Sequence, residues 1–201
     1  MRNIIHKLTI FIVSVMSLIL IVCSLWFAEL HATRRRAVGL MEAIDNIHVG
    51  QSDRNEVTRE LASFQTNRST GYDCFGGPCL EGEIYRVVRK SPGIGDWWPA
   101  TSLNVGLFYD HGILAIKEVE FSQSSGSTVR IVEDEYPFPD RHWDTSLPNG
   151  YQLDHKGNAV FIAMDQRASR SMKEQSFNLN LHCFSSIHGC PHASELLGQD
   201  Y

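Results

Sequence analysis

From Leu8 to Ala28 the chain carries no side chain that is ionised at neutral pH. The run is Leu-Thr-Ile-Phe-Ile-Val-Ser-Val-Met-Ser-Leu-Ile-Leu-Ile-Val-Cys-Ser-Leu-Trp-Phe-Ala. Coiled as a helix rising about 1.5 Å per residue, it spans about 30 Å, the hydrocarbon thickness of a bilayer. It predicts a transmembrane anchor over residues 8–28, preceded by a short tail over 1–7, with the lipid bilayer as its partner. Trp26 and Phe27 fall where aromatic rings are favoured, at a membrane interface. A cleaved signal peptide has a shorter apolar core, about 7–15 residues, and an Ala-x-Ala cleavage site. Here Ala28 and Ala32 are four apart, so the anchor is expected to remain. Leu20-Ile21-Val22-Cys23 resembles a lipoprotein lipobox, but Val22 stands where that motif has Gly, Ala or Ser. Cys23 is therefore read as a plain thiol facing lipid or a partner helix.

Charge separates this anchor from the rest. Arg2, Lys7, Arg34, Arg35 and Arg36 against Glu29 give the first 36 residues +4. The whole chain is −5, so residues 37–201 carry −9. A body of that sign repels a phosphate backbone, which disfavours nucleic acid as a partner.

Orientation receives two conflicting signals. Three arginines follow the span and two cations precede it, which on a positive-inside count places the body in the cytoplasm. The cysteines argue the other way. Cys74/Cys79 and Cys183/Cys190 are two close pairs, the pattern of disulfides in an oxidising compartment. We expect the N-terminus inside and an extracytoplasmic, periplasmic body. Asn67-Arg68-Ser69 is a glycosylation sequon of little weight alone.

Past the span, Leu40, Ile44 and Ile47 recur at helical spacing, which predicts a juxtamembrane helix over 29–48. Gly50 ends the pattern. Asp53, with Glu56 three residues on, is a capping-box-like start, and Val57, Leu61 and Phe64 share a face, which predicts a helix over 53–64. Residues 65–80 are turn-rich and no regular element is expected there. The period then changes to two. Leu103, Val105, Leu107 and Tyr109 alternate, as do Val129 and Ile131, then Val160, Ile162 and Met164, and finally Phe177, Leu179 and Leu181. Leu114 to Phe121 forms a further strand after the Asp110-His111-Gly112 turn, and Glu83–Lys90 and Tyr151–Asp154 are candidate strands. Residues 135–150 form a long Pro-rich loop.

These elements predict an extracytoplasmic α+β domain over 49–201. One or two short helices pack on the apolar face of an antiparallel sheet; a β-sandwich is the alternative.

The segment Val49-Gly50-x-Ser52-x-x-x-Glu56-Val57-x-x-x-Leu61, ahead of a turn and a sheet, resembles the opening helix of BamE/SmpA-type envelope modules. That resemblance covers about fifteen residues. It implies a small bacterial periplasmic fold acting as a scaffold rather than an enzyme. The wider pattern also resembles single-pass bacterial envelope proteins ending in a Cys-x6-Cys knot.

Candidate chemistry gathers near the C-terminus. His182-Cys183-Phe184-Ser185-Ser186-Ile187-His188-Gly189-Cys190-Pro191-His192 is rich in potential ligands. Cys183, His188, Cys190 and His192 make a conceivable tetrahedral zinc set, as in a cytoplasmic domain with inverted topology, but the spacing is not that of a zinc knuckle. A structural disulfide is the simpler expectation there, and likewise for Cys74 and Cys79, whose four-residue separation is not that of a catalytic dithiol.

Ile187-His188-Gly189-Cys190 also resembles the Ser-His-Gly-Cys motif of L,D-transpeptidases. That resemblance implies a cell-wall enzyme with Cys190 as acylated nucleophile and a histidine such as His188 as activator. The chain departs from it at Ile187 and at His192, where the family has Ser and Arg, and only eleven residues follow Cys190.

Trp97-Trp98 is a candidate interaction surface for lipid headgroups or an envelope protein partner. The acids Glu133, Asp134, Glu135, Asp140 and Asp144 are read as a solvated loop, since their spacing is not that of a calcium loop. No phosphate-binding, dinucleotide or hydrolase motif occurs, and no cofactor is expected. The sum favours a membrane-anchored, non-enzymatic envelope or interaction module.

Overall fold

A computed structural model of the chain describes residues 2–73, 79–91, 99–135, 150–186 and 188–198. Cys74, Trp97, Trp98, Ile187 and most of the Pro-rich loop lie outside the described residues, and so do the expectations placed on them.

Residues 2–45, which include the segment expected as anchor and most of the expected juxtamembrane helix, form one continuous element. Helix α1 runs without interruption over Arg2–Asp45. At 1.5 Å per residue it is about 66 Å long. Its two halves have different surroundings. From Ile10 to Phe27 the large aliphatic and phenylalanine side chains are 38–67% exposed, while Trp26 is partly buried. From Leu30 onward one stripe is buried: Leu30, Thr33, Ala37, Leu40, Ile44 and, just past the helix end, Ile47. That alternating three-four spacing keeps a single face on the sheet. The chain has one helix long and apolar enough to cross a membrane among the described residues.

Gly50, with φ 76°, turns the chain after α1. Asp53 then caps helix α2, Arg54–Glu60, its carboxylate accepting from the amides of Asn55 and Glu56. The expected 53–64 helix stops there. Residues Ala62–Asn67 tighten into 3-10 geometry, leaving Leu61 in the core and Phe64 half-buried against it.

The sheet has seven strands: β1 Arg68–Asp73, β2 Leu80–Arg89, β3 Thr101–Asp110, β4 Ile113–Gln123, β5 Thr128–Asp134, β6 Tyr151–Lys156 and β7 Ala159–Met164. Their order is β1-β2-β3-β4-β5-β7-β6. The fold is thus α+β on a single sheet, not a sandwich.

Three sequence expectations are corrected. Strand β1 occupies part of the turn-rich stretch. It is a polar strand at the edge of the sheet, paired among the described residues with β2 alone, so it carries no alternating apolar signature. The sheet is mixed rather than antiparallel, because β5 and β7 pair in parallel. The apolar strand Ala-Val-Phe-Ile-Ala-Met takes the inner position and the polar strand Tyr-Gln-Leu-Asp-His-Lys is left at the edge.

Finally, 177–181 is not a strand. Phe177 and Leu179 are buried as their alternation suggested, but they follow helix α3, Arg170–Ser176, and only Leu179 makes a bridge, to Leu197. A 3-10 turn Leu181–Phe184 and helix α4, Ala193–Leu196, follow.

One face of the sheet is covered by α1, α2 and the C-terminal segment. There Tyr85, Leu103, Val105, Leu107, Phe121 and Ile131 form the main core with α1. The other face is polar over much of its described extent. Arg86 bonds Asn104 across strands, Ser102 meets Ser122, and Arg130 pairs with Glu118. One small apolar cluster, Leu80, Phe108, Ala115, Ile116 and Val132 with Phe161 beside it, interrupts that polarity.

Candidate functional site

The covered face holds charges as well as apolar groups. Glu83 and Arg89 on β2, Lys117 on β4 and Glu133 on β5 occupy the same parity as Tyr85, Val119 and Ile131, so the pleat turns them inward. All four are buried. Buried charges require partners, and each of these has them.

Glu83 is completely buried beside α2. Its carboxylate accepts from Arg54 Nε at 3.2 Å, from the Tyr85 hydroxyl at 2.8 Å and from Arg68 Nη2. Burial, then the adjacent Glu83, pushes the Tyr85 and Tyr109 hydroxyls well above their ordinary range. The Tyr109 hydroxyl is buried and has no hydrogen-bond partner among the described residues.

Lys117 and Glu133 form a second cluster between the end of α1, the sheet and α3. Lys117 Nζ lies 3.0 Å from Glu133 Oε2 and donates to the Ile47 carbonyl at 3.2 Å, with the Phe177 ring 4.6 Å away. Lys173 Nζ reaches the other Glu133 oxygen at 3.0 Å. Burial by itself would raise the Glu133 pKa; the Lys117 charge and the Lys173 bond outweigh it and hold the carboxyl below its usual value. The cluster floors a cleft of about 590 Å³ whose mouth carries Asp45, His48, Arg170 and Glu174. Asp45 is raised, first by burial, with Glu174 and Glu42 adding to it and Lys117 opposing. The lysines and the carboxylate on the cleft floor satisfy one another.

Arg89 is the third inward charge. Its Nη1 donates to the carbonyls of Cys183, Phe184 and Ser186 and its Nη2 to that of Pro99, at 2.6–3.2 Å. Burial lowers its pKa from the ordinary value, and the four carbonyls replace the water it has lost.

These carbonyls belong largely to the C-terminal knot. Cys183 and Cys190 form a disulfide with their Cα atoms 5.5 Å apart. Around it, Gln123 Oε1 accepts from the Cys190 amide, Ser127 donates to the Cys190 carbonyl, and Asn158 bonds both Pro191 and Ala193. Phe184 stacks on Phe121 with centroids 5.4 Å apart. The knot therefore closes one end of the sheet.

The candidate residues fall as follows. Cys190 is buried and its sulfur is bonded to Cys183, so it carries no free thiolate in this state. His188 and His192 are exposed beside it. With the two sulfurs joined, Cys183, His188, Cys190 and His192 do not form a ligand set, and no group of three or more metal-binding side chains gathers among the described residues. Cys79 is disulfide-bonded, while Cys74 lies outside the described residues. Cys23 is a free, exposed thiol on α1.

Sequence reasoning passed over Glu83, Arg89 and Lys117 as site residues and placed Glu133 and Asp134 in a solvated loop, whereas both are buried on β5. The available signal was a charge at an inward position of an otherwise alternating strand. No family model, no curated protein and no solved structure matches the chain.

Proposed function

We propose that this chain is a single-pass membrane protein with an extracytoplasmic body, acting as a non-enzymatic interaction module of a bacterial envelope. The observation that carries this reading is helix α1. It is bare and apolar over a bilayer's thickness, then enters the core of the body without a break. An exposed apolar surface of that extent calls for lipid or a partner.

The Cys183–Cys190 disulfide supports a body held in an oxidising compartment. The mutually satisfied charges support a structural rather than a catalytic role for the polar clusters. The resemblance of residues 49–61 to the opening helix of BamE/SmpA-type modules agrees with a scaffold.

Topology and extraction test it together. The full chain is expected to stay in the membrane pellet after alkaline carbonate and to keep its N-terminal residues by mass spectrometry. In spheroplasts, external protease is expected to digest the body. A body protected from protease, with reduced Cys183 and Cys190, overturns the extracytoplasmic placement. A chain beginning near residue 29 overturns the anchor.

A further inference from the structure

The sheet register gives the body two distinct ends. Arg89 lies opposite Thr101, Thr101 opposite Gln123, Thr128 opposite Ala159, and Lys156 opposite Ala159. These residues form one row. At the other row lie Glu81 opposite Tyr109, Asp110 opposite Ile113, and Asp134 opposite Ile116.

Helix α1 runs from the first row towards the second. Near its entry into the body, Arg34 Nη2 bonds the His182 ring at 3.0 Å, and His182 adjoins the Cys183 and Phe184 carbonyls that Arg89 holds. Near its exit, Lys117 bonds the Ile47 carbonyl, and the Gly50 amide donates to Leu114. The first buried residue of the body, Leu30, follows the exposed Phe27 by three positions, about 4.5 Å along the helix. No flexible linker separates span from body. The Arg89 row and the disulfide knot that caps it therefore face the bilayer that α1 crosses.

That end is the basic one. Arg34, Arg35 and Arg36 ring α1 just past the span, and Lys90 and Lys156 stand exposed at the strand ends. Exposed imidazoles at His31, His155, His182, His188 and His192 surround them. Among the described residues the acids at this end are Glu29, Glu195, Asp154 and, in the same row as Asp154, Glu120. The distal row and its turns carry Asp53, Glu81, Asp110, Asp134 and Glu135 against Arg54 and the imidazoles of His48 and His111, within a body whose overall sign is negative.

We infer that the knot end of the body docks on anionic phospholipid headgroups of the same bilayer, with Lys90 and Lys156 as the body's own contacts beside the three arginines. This rests on the anchor reading above. The rigid helix holds the cations at the surface, so docking involves little further loss of orientational freedom. The polarity also accounts for three arginines on the outer side of the span: they meet headgroup phosphates there.

The test uses the full chain with Cys23→Ser, its disulfides intact, carrying one fluorophore at Ser125→Cys or Asn55→Cys. Ser125 is exposed in the turn between β4 and β5 at the docking end, and Asn55 is exposed on α2 at the distal end. The chain is reconstituted into vesicles of phosphatidylcholine, alone or mixed with phosphatidylglycerol, doped with a headgroup spin-label quencher. We expect strong quenching at position 125 and little at 55 in the anionic vesicles, and weaker quenching at 125 in phosphatidylcholine alone. Lys90→Gln with Lys156→Gln is expected to lower the docked-to-undocked ratio about 25-fold, about fivefold for each cation removed. Equal quenching at 125 in both vesicle types, or no response to the lysine pair, overturns docking on anionic lipid. A chain that resists carbonate but shows no quenching at 125 overturns the docking and leaves the anchor standing. A chain that carbonate releases overturns the anchor and the docking with it.

Discussion

Arg89 is worth more than its charge. It is the donor for four backbone carbonyls that have no strand to pair with, three of them within the disulfide knot. Arg89→Met keeps the unbranched apolar stem of the side chain and removes those donors. The buried carbonyls then lose their partners, which costs about 3 kcal/mol. We expect a lower denaturation midpoint for the full chain in detergent, and faster reduction of Cys183–Cys190 by added thiol, because the loop that encloses it loosens.

Glu133 gives a pH-dependent counterpart. Its folded pKa lies below the ordinary value of 4.5. The carboxylate's contribution is therefore complete above 4.5 and is lost as pH falls through the lower folded value. Glu133→Gln is expected to destabilise at neutral pH, where it leaves Lys117 buried without its carboxylate, and to flatten the acid limb of the stability curve below about pH 4.5. Thermal melts across the acid range read this directly. An unchanged acid limb would mean that the Lys117–Glu133–Lys173 cluster does not hold the ionised carboxylate.

At the scale of the element, legibility followed what each segment buries. Strands β3, β4, β5 and β7 could be read because over part of each one face is buried in the core while the other is only partly buried, which leaves an alternating pattern. The Asp53 cap could be read because its chemistry is local. Strand β1 was hidden because an edge strand with polar side chains has no apolar period. The 177–181 stretch misled because alternation reports burial, not a ladder. Phe177 and Leu179 point into the core with no neighbouring strand beyond the single bridge. The parallel β5–β7 pair was invisible for another reason: strand order is decided by competition for the inner position, a property of two strands together. The disulfide candidates at Cys183 and Cys190 were legible from spacing, whereas Arg89, which fastens their loop, lies some ninety residues away in sequence and could be recognised only once the register set it beside the knot.

At the scale of the molecule, α1 belongs to two solvents at once, and that sets where the chain tolerates being cut. A fragment 29–201 loses a segment whose described apolar side chains, Trp26 aside, are exposed. It keeps Ala37, Leu40, Met41, Ile44 and Ile47, all in the main core. We expect this fragment to be soluble and to unfold in one cooperative transition. A fragment 49–201 loses those five side chains and uncovers the sheet face beneath them. At about 2 kcal/mol for each fully buried apolar side chain, the loss approaches the whole stability of a domain this size, about 5–15 kcal/mol. That fragment is expected to aggregate or to remain unfolded. Size-exclusion chromatography and urea unfolding of the two fragments, side by side, measure the difference. If 49–201 folds as stably as 29–201, then α1 is a passive tether and its buried stripe is not structural. If only the longer fragment folds, the same helix that crosses the membrane also nucleates the sheet, so any force or tilt applied to the span reaches the core without passing through a hinge.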